Sequence, residues 1–483
     1  MGEASAERGD DLAAAGLTRE QILSRWQGQN RPQWVFGQIA AHACGAMSLG
    51  IYRDSLAEEV GFLIEFCAAR VVLVEDEEQV DKLLELGDRT AALCTVLGAR
   101  ARHLRSLSVR HGAAPVDPTR RDRQRELLLR HAELRDQLEQ RRRDDWKLSV
   151  VELERLSERN ERDRVRIDAL ATEAMALVER EPAPWSCDPV RSPAREHALL
   201  TMHPAVDADG WWVMLDRAGV VEAVHVRIDR AAAGGGVEQA VVRALTTLVG
   251  EGRLAGVRTL TVVPLGELGA VDVHRLAPLQ DSAGLQVMYG LGLGRAARAV
   301  AADGSAVALA GGGGDLREPA AEVDEVRAAL VQHGWTLRDT WAPADEPQPT
   351  LLHYAGHGRH AGPSGWDSTL ELAEGPLSAE QIIAHQRAPA VVVLGACDAA
   401  ATDAKVLDGG MNMASAFLLA GAELVIAPSR PVADTDARAL AERLYRSPPR
   451  PKDAAALADA LVWGLTTAQR EGGRFEEWRA WGP

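Results

Sequence analysis

The 483-residue sequence is poor in aromatic residues and contains no long apolar run. Only 4% of its residues are aromatic, and 12 of these are Trp. The most apolar early stretch, Val60 to Val74, is interrupted by Glu65 and Arg70 and is too short to span a bilayer. The first residues also lack the apolar segment of a secretory signal. We therefore expect a cytoplasmic protein that does not associate with a membrane.

Cysteine is scarce and widely spaced. The five residues are Cys44, Cys67, Cys94, Cys187 and Cys397, an odd number with no CxxC pair. This pattern favours a reducing compartment over a framework of disulfides. The spacing of cysteine and histidine in the N-terminal part does not fit a zinc site. We expect no metal and no cofactor.

Positive charge is in deficit. Lys and Arg number 54 against 70 Asp and Glu, which gives a net charge of −16. An acidic balance argues against general nucleic-acid binding and against binding to an anionic membrane surface. The length is sufficient for two or three domains.

Composition along the chain predicts four regions. Residues 1–116 are predicted to form a helical domain, with residues 17–26, 33–74 and 77–107 as its helices. Residues 117–180 are dense in charge with a thin apolar stripe, which predicts long exposed helices; a coiled-coil hairpin is one arrangement that fits. Residues 181–204 contain five prolines and are predicted to be a linker. Residues 205–483 alternate strand and helix patterns, which predicts an α/β sheet with helices on both faces.

Two apolar runs in the last region each stop shortly before a reactive residue. Leu351 to Ala355 precedes His357, and Ala390 to Leu394 precedes Cys397. A helix predicted from Ser378 to His385 lies between them, so the segment reads as a βαβ unit with parallel strands. Because open α/β sheets build their sites at the carboxyl ends of strands, we expect the two side chains to face one cleft.

Histidine and cysteine together suit nucleophilic catalysis. A thiol with a free pKa of about 8.5 is only slightly ionised at neutral pH, and a neighbouring imidazole activates it by accepting its proton. His357 would act as the base and Cys397 as the nucleophile. The backbone N–H groups of Gly358 and Cys397 would form an oxyanion hole.

Other interpretations of these motifs are weaker. His353, His357 and His360 have the spacing of helical metal ligands, but the segment is predicted to be a strand. The glycines of 290–294 and 311–314 lack the flanking residues of nucleotide-binding motifs. As a further alternative, His357 and Cys397 would be ordinary core residues, and the protein would be an inactive relative that serves as a scaffold.

The motifs HYAGHG and LGACD, which contain His357 and Cys397, resemble those of the CHAT peptidases, a caspase-like group of clan CD. Segments 262–268, 276–279, 315–326 and 416–422 are similar to further parts of that family's pattern, so the resemblance covers roughly residues 205–470. It implies a caspase-like three-layer α/β sandwich over residues 205–483. It also implies a cysteine endopeptidase with a dyad of His357 and Cys397 and no third acid.

One loop departs from the family's pattern. Where the family has a Trp followed by paired acids, this chain has Arg430 and, in register, only Asp434. In the family this loop borders the pocket for the residue before the cut. Asp367 and Asp434 are candidate pocket residues, and they would favour a basic residue before the cut.

The resemblance also implies partners. We expect a protein substrate in a bacterial conflict or cell-death system. A regulatory protein, or self-association through the helical N-terminal region, would gate the activity. The alternative is a catalytically silent scaffold that recruits partners through its helical half.

Overall fold

The computed structural model describes residues 195–482, with gaps, and parts of the chain before them. The gaps are 206–209, 229–235, 251–253, 264–268, 270, 281, 283, 293–302, 312–316, 344, 346, 361–367, 386, 402–410, 447–452 and 472–474. Before residue 195, it describes 24–27, 48–51, 55–66, 71–74 and single helical positions between 82 and 173.

The N-terminal region contains strands where the sequence analysis predicted helices only. The strands β1 (Ser24–Gln27), β2 (Ser48–Ile51) and β3 (Val71–Val74) form a parallel sheet in the order β2-β1-β3. The prediction of an all-helical region over 1–116 is wrong for these segments. In β3, three valines among four apolar residues favour an extended chain, because β-branched side chains pack well on a pleated surface.

Other described parts of this region are helical. Helix α1 spans Ala57–Phe66, and the described positions between 82 and 98 lie in the helix predicted for 77–107. In the charged region, Arg123 pairs with Glu173 at 2.9 Å, a contact between the two predicted long helices. The hairpin itself stays a prediction.

The second half of the chain forms one mixed sheet of eleven strands. Its order is β10-β9-β11-β15-β16-β17-β8-β7-β4-β5-β6. The strands are β4 (His197–Pro204), β5 (Gly210–Arg217), β6 (Val220–Arg227), β7 (Thr259–Val263), β8 (Gln286–Gly290), β9 (Ser305–Ala310), β10 (Thr336–Arg338), β11 (Leu351–Ala355), β15 (Val391–Gly395), β16 (Leu424–Pro428) and β17 (Trp478–Gly482). A separate antiparallel sheet contains β12 (Gly358–Arg359), β13 (Thr369–Leu372) and β14 (Gly375–Ser378).

Strand β4 corrects one predicted boundary. It lies within the predicted linker 181–204 and pairs with β5 over residues 198–204 and with β7 over residues 197–201. Its run Ala198 to Met202 is fully buried, and Pro204 stands only at its end, where a missing N–H is tolerated. The linker is therefore shorter than predicted, and the sheet begins before residue 205.

The large sheet contains two sets of parallel strands that run in opposite directions, and β5 at the far end of the second set is antiparallel to β4 and β6. Strands β9, β10, β11, β15 and β16 are parallel to one another, and β17 is antiparallel to β16. Strand β17 is parallel to β8, which is parallel to β7. The carboxyl ends of β11, β15 and β16 therefore lie at the same edge as the beginnings of β17 and β8.

Helices cover both faces of this sheet, so the predicted three-layer arrangement is observed. The helices are α2 (Gly236–Val249), α3 (Ala277–Gln280), α4 (Arg317–Gln332), α5 (Ala379–His385), α6 (Met413–Leu419), α7 (Asp434–Leu444) and α8 (Ala454–Arg470). One core lies on the side of α2, α3, α5 and α6, and the other lies on the side of α4, α7 and α8. Strand β15 contributes to both cores, because its residues Val391 to Leu394 are all buried.

The cysteines differ from the sequence expectation. Cys94 is disulfide-bonded, whereas Cys397 is free. Wide spacing in sequence does not prevent two Cα atoms from coming within disulfide reach once the chain has folded. Among the described residues, no helix has the length and apolarity needed to cross a membrane.

Candidate active site

His357 and Cys397 follow two adjacent parallel strands that end in register. Ala355, the last residue of β11, pairs with Gly395, the last residue of β15. Each reactive residue comes two positions after its strand. The structure therefore places both at one edge of the sheet, as the sequence predicted.

Gly358 brings the histidine segment against the cysteine segment. A Cβ atom added at Gly358 would lie 2.6 Å from the carbonyl oxygen of Cys397 and 3.0 Å from the Cβ of Ala396. Any larger residue would push the two segments apart, since real Cβ atoms do not approach a backbone oxygen so closely. The glycine therefore permits the contact between the two halves of the candidate site.

The N–H of Gly358 points away from the small sheet. Glu371 N donates to His357 O at 3.1 Å, so His357 and Glu371 form a hydrogen-bonded pair in the antiparallel ladder. The next pair, Gly358 and Leu370, is then of the non-hydrogen-bonded kind. Among the described residues, neither Gly358 N nor Cys397 N donates to a backbone or side-chain acceptor.

The backbone of His357 is held while its side chain is exposed. Its carbonyl accepts a second hydrogen bond from the Tyr354 hydroxyl at 3.0 Å, and that hydroxyl also lies 2.9 Å from Glu371 O. Burial raises the pKa of Tyr354, so the phenol stays protonated and able to donate. The strand end is thus fixed, and the ring is free to meet a substrate.

The thiol of Cys397 is half-buried beneath the loop that follows β16. Its Sγ lies 3.6 Å from Val432 O, at hydrogen-bond distance for sulfur. Ala400 N, just after the cysteine, donates to Pro428 O at 2.9 Å. The loop 428–433 therefore contacts the nucleophile segment at both ends. In this described part of the chain, the thiol is hydrogen-bonded to the loop and not to His357.

Asp398, which directly follows the nucleophile, has a constrained backbone. Its φ of 57° lies in the left-handed region, which non-glycine residues seldom adopt. Burial raises the pKa of its carboxyl, and the charge of His360 acts in the opposite direction. His360 is in turn 3.1 Å from the Ser368 hydroxyl. The residue after the nucleophile is therefore part of a tight turn.

His353 belongs to a buried polar network under the site. Its Nε2 lies 2.9 Å from Glu322 Oε1, and its Nδ1 lies 3.2 Å from the Tyr445 hydroxyl. His353, Glu322 and Tyr445 are each at most 2% exposed. Glu322 Oε1 also sits close to Gly395, where an added Cβ would be 3.0 Å away. The network joins α4 and α7 to the two strands that carry His357 and Cys397.

Sequence reasoning missed the role of Glu322, although it identified the helix that contains it. The available signal was an acid in the first turns of an amphipathic helix, which is usually exposed. Glu322 and Tyr445 also line a groove of about 700 Å³ between α4 and α7.

A second missed cluster surrounds Asp272, next to the 3-10 turn Val273–Arg275. The buried Arg479 donates to Asp272 Oδ1 from Nη2 at 2.9 Å and from Nε at 3.2 Å. Arg430, from the loop over the thiol, pairs with Asp272 Oδ2. The only signal in sequence was an arginine between two tryptophans near residue 480, which does not reveal its partner.

The predicted pocket residues have different outcomes. Asp434 is exposed and begins α7, two residues after Val432. Asp367 lies outside the described residues. Among those that are described, no three His, Cys, Asp or Glu side chains group as metal ligands, and His353 points into the polar network instead.

Comparisons with known proteins give one family, one curated protein and several solved structures. Residues 292–481 match the model of the CHAT domain. Long-chain-fatty-acid–CoA ligase ACSBG2 of Xenopus laevis is 27% identical over 70 residues, which are 14% of this chain and 10% of that protein. This chain thus spans about a tenth of the length of that relative.

Two solved structures of the Saccharomyces cerevisiae separase–securin complex are also similar, both at 14% identity over 47% of this chain. The TM-scores are 0.33 and 0.31, and the matches cover 16% and 15% of those chains. The family match begins inside the large sheet, whose first strand is β4, and it includes both His357 and Cys397. Residues 292–481 of this chain are thus similar to the CHAT domain.

Proposed function

We propose that the protein is a cysteine endopeptidase whose dyad consists of His357 and Cys397. The observation that carries this proposal is the paired ends of β11 and β15, with Gly358 packed against the carbonyl of Cys397. Two residues that merely filled a core would need neither matched strand ends nor this close approach. The similarity to the CHAT domain over residues 292–481 supports the same assignment.

In the proposed mechanism, His357 accepts the thiol proton and the Cys397 sulfur attacks the scissile carbonyl carbon. The N–H groups of Gly358 and Cys397, which have no other described acceptor, stabilise the oxyanion. His357 then gives its proton to the departing amine, and the C–N bond breaks. Water, deprotonated by His357, attacks the thioester and releases the acid and the thiol. No third acid is assigned.

The contact between the thiol and Val432 supports gated activity. For catalysis, the Cys397 S–H must leave Val432 O and reach the imidazole of His357, so the loop or the ring has to move. Catalytic hydrogen bonds often form only in the substrate complex, so this arrangement is compatible with an enzyme at rest. We propose that a regulatory protein, or self-association through the N-terminal region, promotes the change in a bacterial conflict or cell-death system.

The substrate is proposed to be a protein. A basic residue before the cut would pair with Asp434, which is exposed next to the loop over the thiol. Asp367 remains the second proposed pocket residue. Equal cutting of peptides that carry Lys, Leu or Asp before the scissile bond would contradict this specificity. Cytoplasmic location stays a prediction from sequence.

The same thiol contact favours one alternative, a catalytically silent scaffold. The decisive experiment is intact-mass analysis after labelling with a library of peptide acyloxymethyl ketones. Wild type, Cys397→Ala and His357→Ala are compared. We expect one adduct at Cys397 in wild type, none in Cys397→Ala and at least about 100-fold slower labelling in His357→Ala.

If wild type and His357→Ala are labelled at the same rate, the dyad is wrong. An absence of labelling, with cellular activity retained by Cys397→Ala, would favour the scaffold.

A further inference from the structure

The loop over the thiol carries a cation that a buried acid holds in place. Arg430 lies midway between Pro428 and Val432, the two residues whose carbonyls contact the nucleophile segment. Its Nη2 is bonded to Asp272, whose side chain is only 5% exposed. The head of Arg430 is therefore anchored beside the candidate site by a partner that belongs to the other half of the sheet.

The anchor leaves most of the guanidinium available. A guanidinium has five N–H donors, and among the described residues Arg430 uses only Nη2. Its side chain is 47% exposed. Arg479 on the same carboxylate is different, since it is 1% exposed and its Nε, Nη1 and Nη2 all donate to protein acceptors. Arg479 is a structural group, whereas Arg430 presents a fixed fork to solvent.

Charge at this cluster is unbalanced. The single carboxylate of Asp272 faces the two guanidinium groups of Arg430 and Arg479. Arg275, 4.0 Å from Asp272, has its own partner in Glu476 at 2.7 Å. One positive charge therefore remains on the loop that contacts the thiol, in a protein whose net charge is −16. An anchored arginine with free donors is suited to bind a carboxylate by two parallel hydrogen bonds.

We propose that Arg430 is a specificity-determining residue that binds an acidic side chain of the protein substrate near the scissile bond. This inference rests on the proposed function, because Arg430 can select a substrate only if the protein is a peptidase. It concerns a substrate position other than the basic residue assigned to Asp434. The cleft would then select a segment that carries both an acidic and a basic residue.

The test uses peptides in which one position at a time, on either side of a lysine, is Glu or Gln. Cleavage by the full-length protein is measured as kcat/KM, and binding to the full-length Cys397→Ala protein is measured by fluorescence anisotropy. The variants are Arg430→Gln and Arg430→Lys. Arg438→Gln serves as the control, because Arg438 is an exposed arginine that pairs with Glu318 and Glu325 on α4.

We expect one position at which Glu is preferred over Gln by about tenfold, the effect of one charge-assisted contact. The preference should fall to about one in Arg430→Gln, remain partial in Arg430→Lys and be unchanged in Arg438→Gln. The ratio of Glu to Gln peptides is taken within each variant, so that a general effect of the substitution on the cleft cancels. A preference that survives in Arg430→Gln, or the absence of any preference at every position, overturns the assignment.

The two readouts separate this inference from the enzymatic proposal. Binding that prefers Glu and depends on Arg430, without cleavage of any peptide and with cellular activity retained by Cys397→Ala, would support Arg430 as a carboxylate site and overturn the peptidase. Cleavage without any effect of Arg430 would retain the peptidase and overturn the role of Arg430.

Discussion

At the scale of single residues, the close approach of the histidine and cysteine segments depends on a glycine. Gly358 allows the histidine segment to touch the carbonyl of Cys397. A methyl group at Gly358 would displace one of the two segments, since the Cys397 carbonyl oxygen that it meets belongs to the backbone and cannot rotate away. The site should therefore be more sensitive to this position than the fold is.

We predict that Gly358→Ala slows labelling of Cys397 by about 100-fold, the loss typical of a displaced oxyanion donor. The melting temperature should change by only a few degrees, because β12 is a two-residue strand. Gly250→Ala is the matched control, since its Cβ would meet nothing within 4 Å. Wild-type labelling in Gly358→Ala would show that the two segments need not touch.

Glu322 and Glu325 offer a comparison between a buried and an exposed pair on one helix. The side chain of Glu322 is buried and bonded to His353, whereas that of Glu325 is 48% exposed and bonded to Arg438. Glu322→Ala should lower the free energy of unfolding by about 3 kcal/mol, because it leaves a buried partner without its acid. Glu325→Ala should cost less than about 1 kcal/mol. Urea denaturation measures both, and equal losses would contradict a structural role for the network.

At the scale of elements, most strands and helices follow from local pattern. The sequence predicts a hairpin of residues 211–215 and 220–228 around the turn at 216–219. Strands β5 and β6 form this hairpin, and its two central residues have positive φ, 50° at Ala218 and 85° at Gly219. Such a two-residue turn matches the twist of the strands. The sequence also predicts helices at 237–248, 434–445 and 454–468, and these agree with α2, α7 and α8 to within two residues.

We predict that Ala218→Asn stabilises the protein by up to about 1 kcal/mol, because Asn tolerates the left-handed conformation better than Ala. Gly219→Ala should instead destabilise it by about 1–2 kcal/mol. Thermal denaturation of the two variants tests the pair. A stabilising Gly219→Ala would mean that the turn differs from the one described.

Elements whose pattern is ambiguous were missed. Strand β17 consists of two tryptophans, an arginine, an alanine and a glycine, all buried, so neither alternation nor an apolar run marks it. The small sheet of β12, β13 and β14 lies inside the predicted crossover, where short strands carry little signal. Strand β3 was assigned to a helix because helical spacing and a run of valines overlap there.

At the scale of the whole molecule, β17 holds the two halves of the sheet together. It pairs with β16 on one side and β8 on the other. We predict that Trp478→Ala costs about 3–5 kcal/mol, because this ring is 1% exposed and its loss leaves a cavity between the halves. Trp463→Ala on α8, whose ring is 52% exposed, should cost less than about 1 kcal/mol. Chemical denaturation compares them, and similar losses would show that β17 is not a central strand.

The stability of the molecule should depend on pH through His274, at the edge where the halves meet. Burial lowers its pKa to about 4 from 6.5, and Nε2 and Nδ1 lie 3.0 Å and 2.9 Å from Glu476 O and the Tyr289 hydroxyl. Between about pH 6.5 and pH 4, His274 is therefore protonated in the unfolded chain and neutral in the folded protein. The contribution of neutral His274 to the free energy of unfolding is fully present above pH 6.5. It decreases by up to about 3 kcal/mol as the pH falls to 4.

The measurement is the free energy of unfolding from pH 7.5 to 4. His274→Gln should remove most of the slope between about pH 6.5 and 5, a window above the range in which carboxylates with lowered pKa values lose their stabilising contribution. An unchanged slope in this variant would assign the pH dependence to other groups.

The sequence by itself determined the βαβ unit that ends in His357 and Cys397, because apolar runs closed by glycine leave few alternatives to buried parallel strands. It also determined most helices, whose amphipathic period is local. Only the tertiary structure decided which distant residues meet. Asp272, Arg430 and Arg479 are separated by up to 207 positions and come together only because β17 inserts between β16 and β8. Pairing between distant segments depends on how the strands are ordered in the sheet, and no local pattern encodes that order.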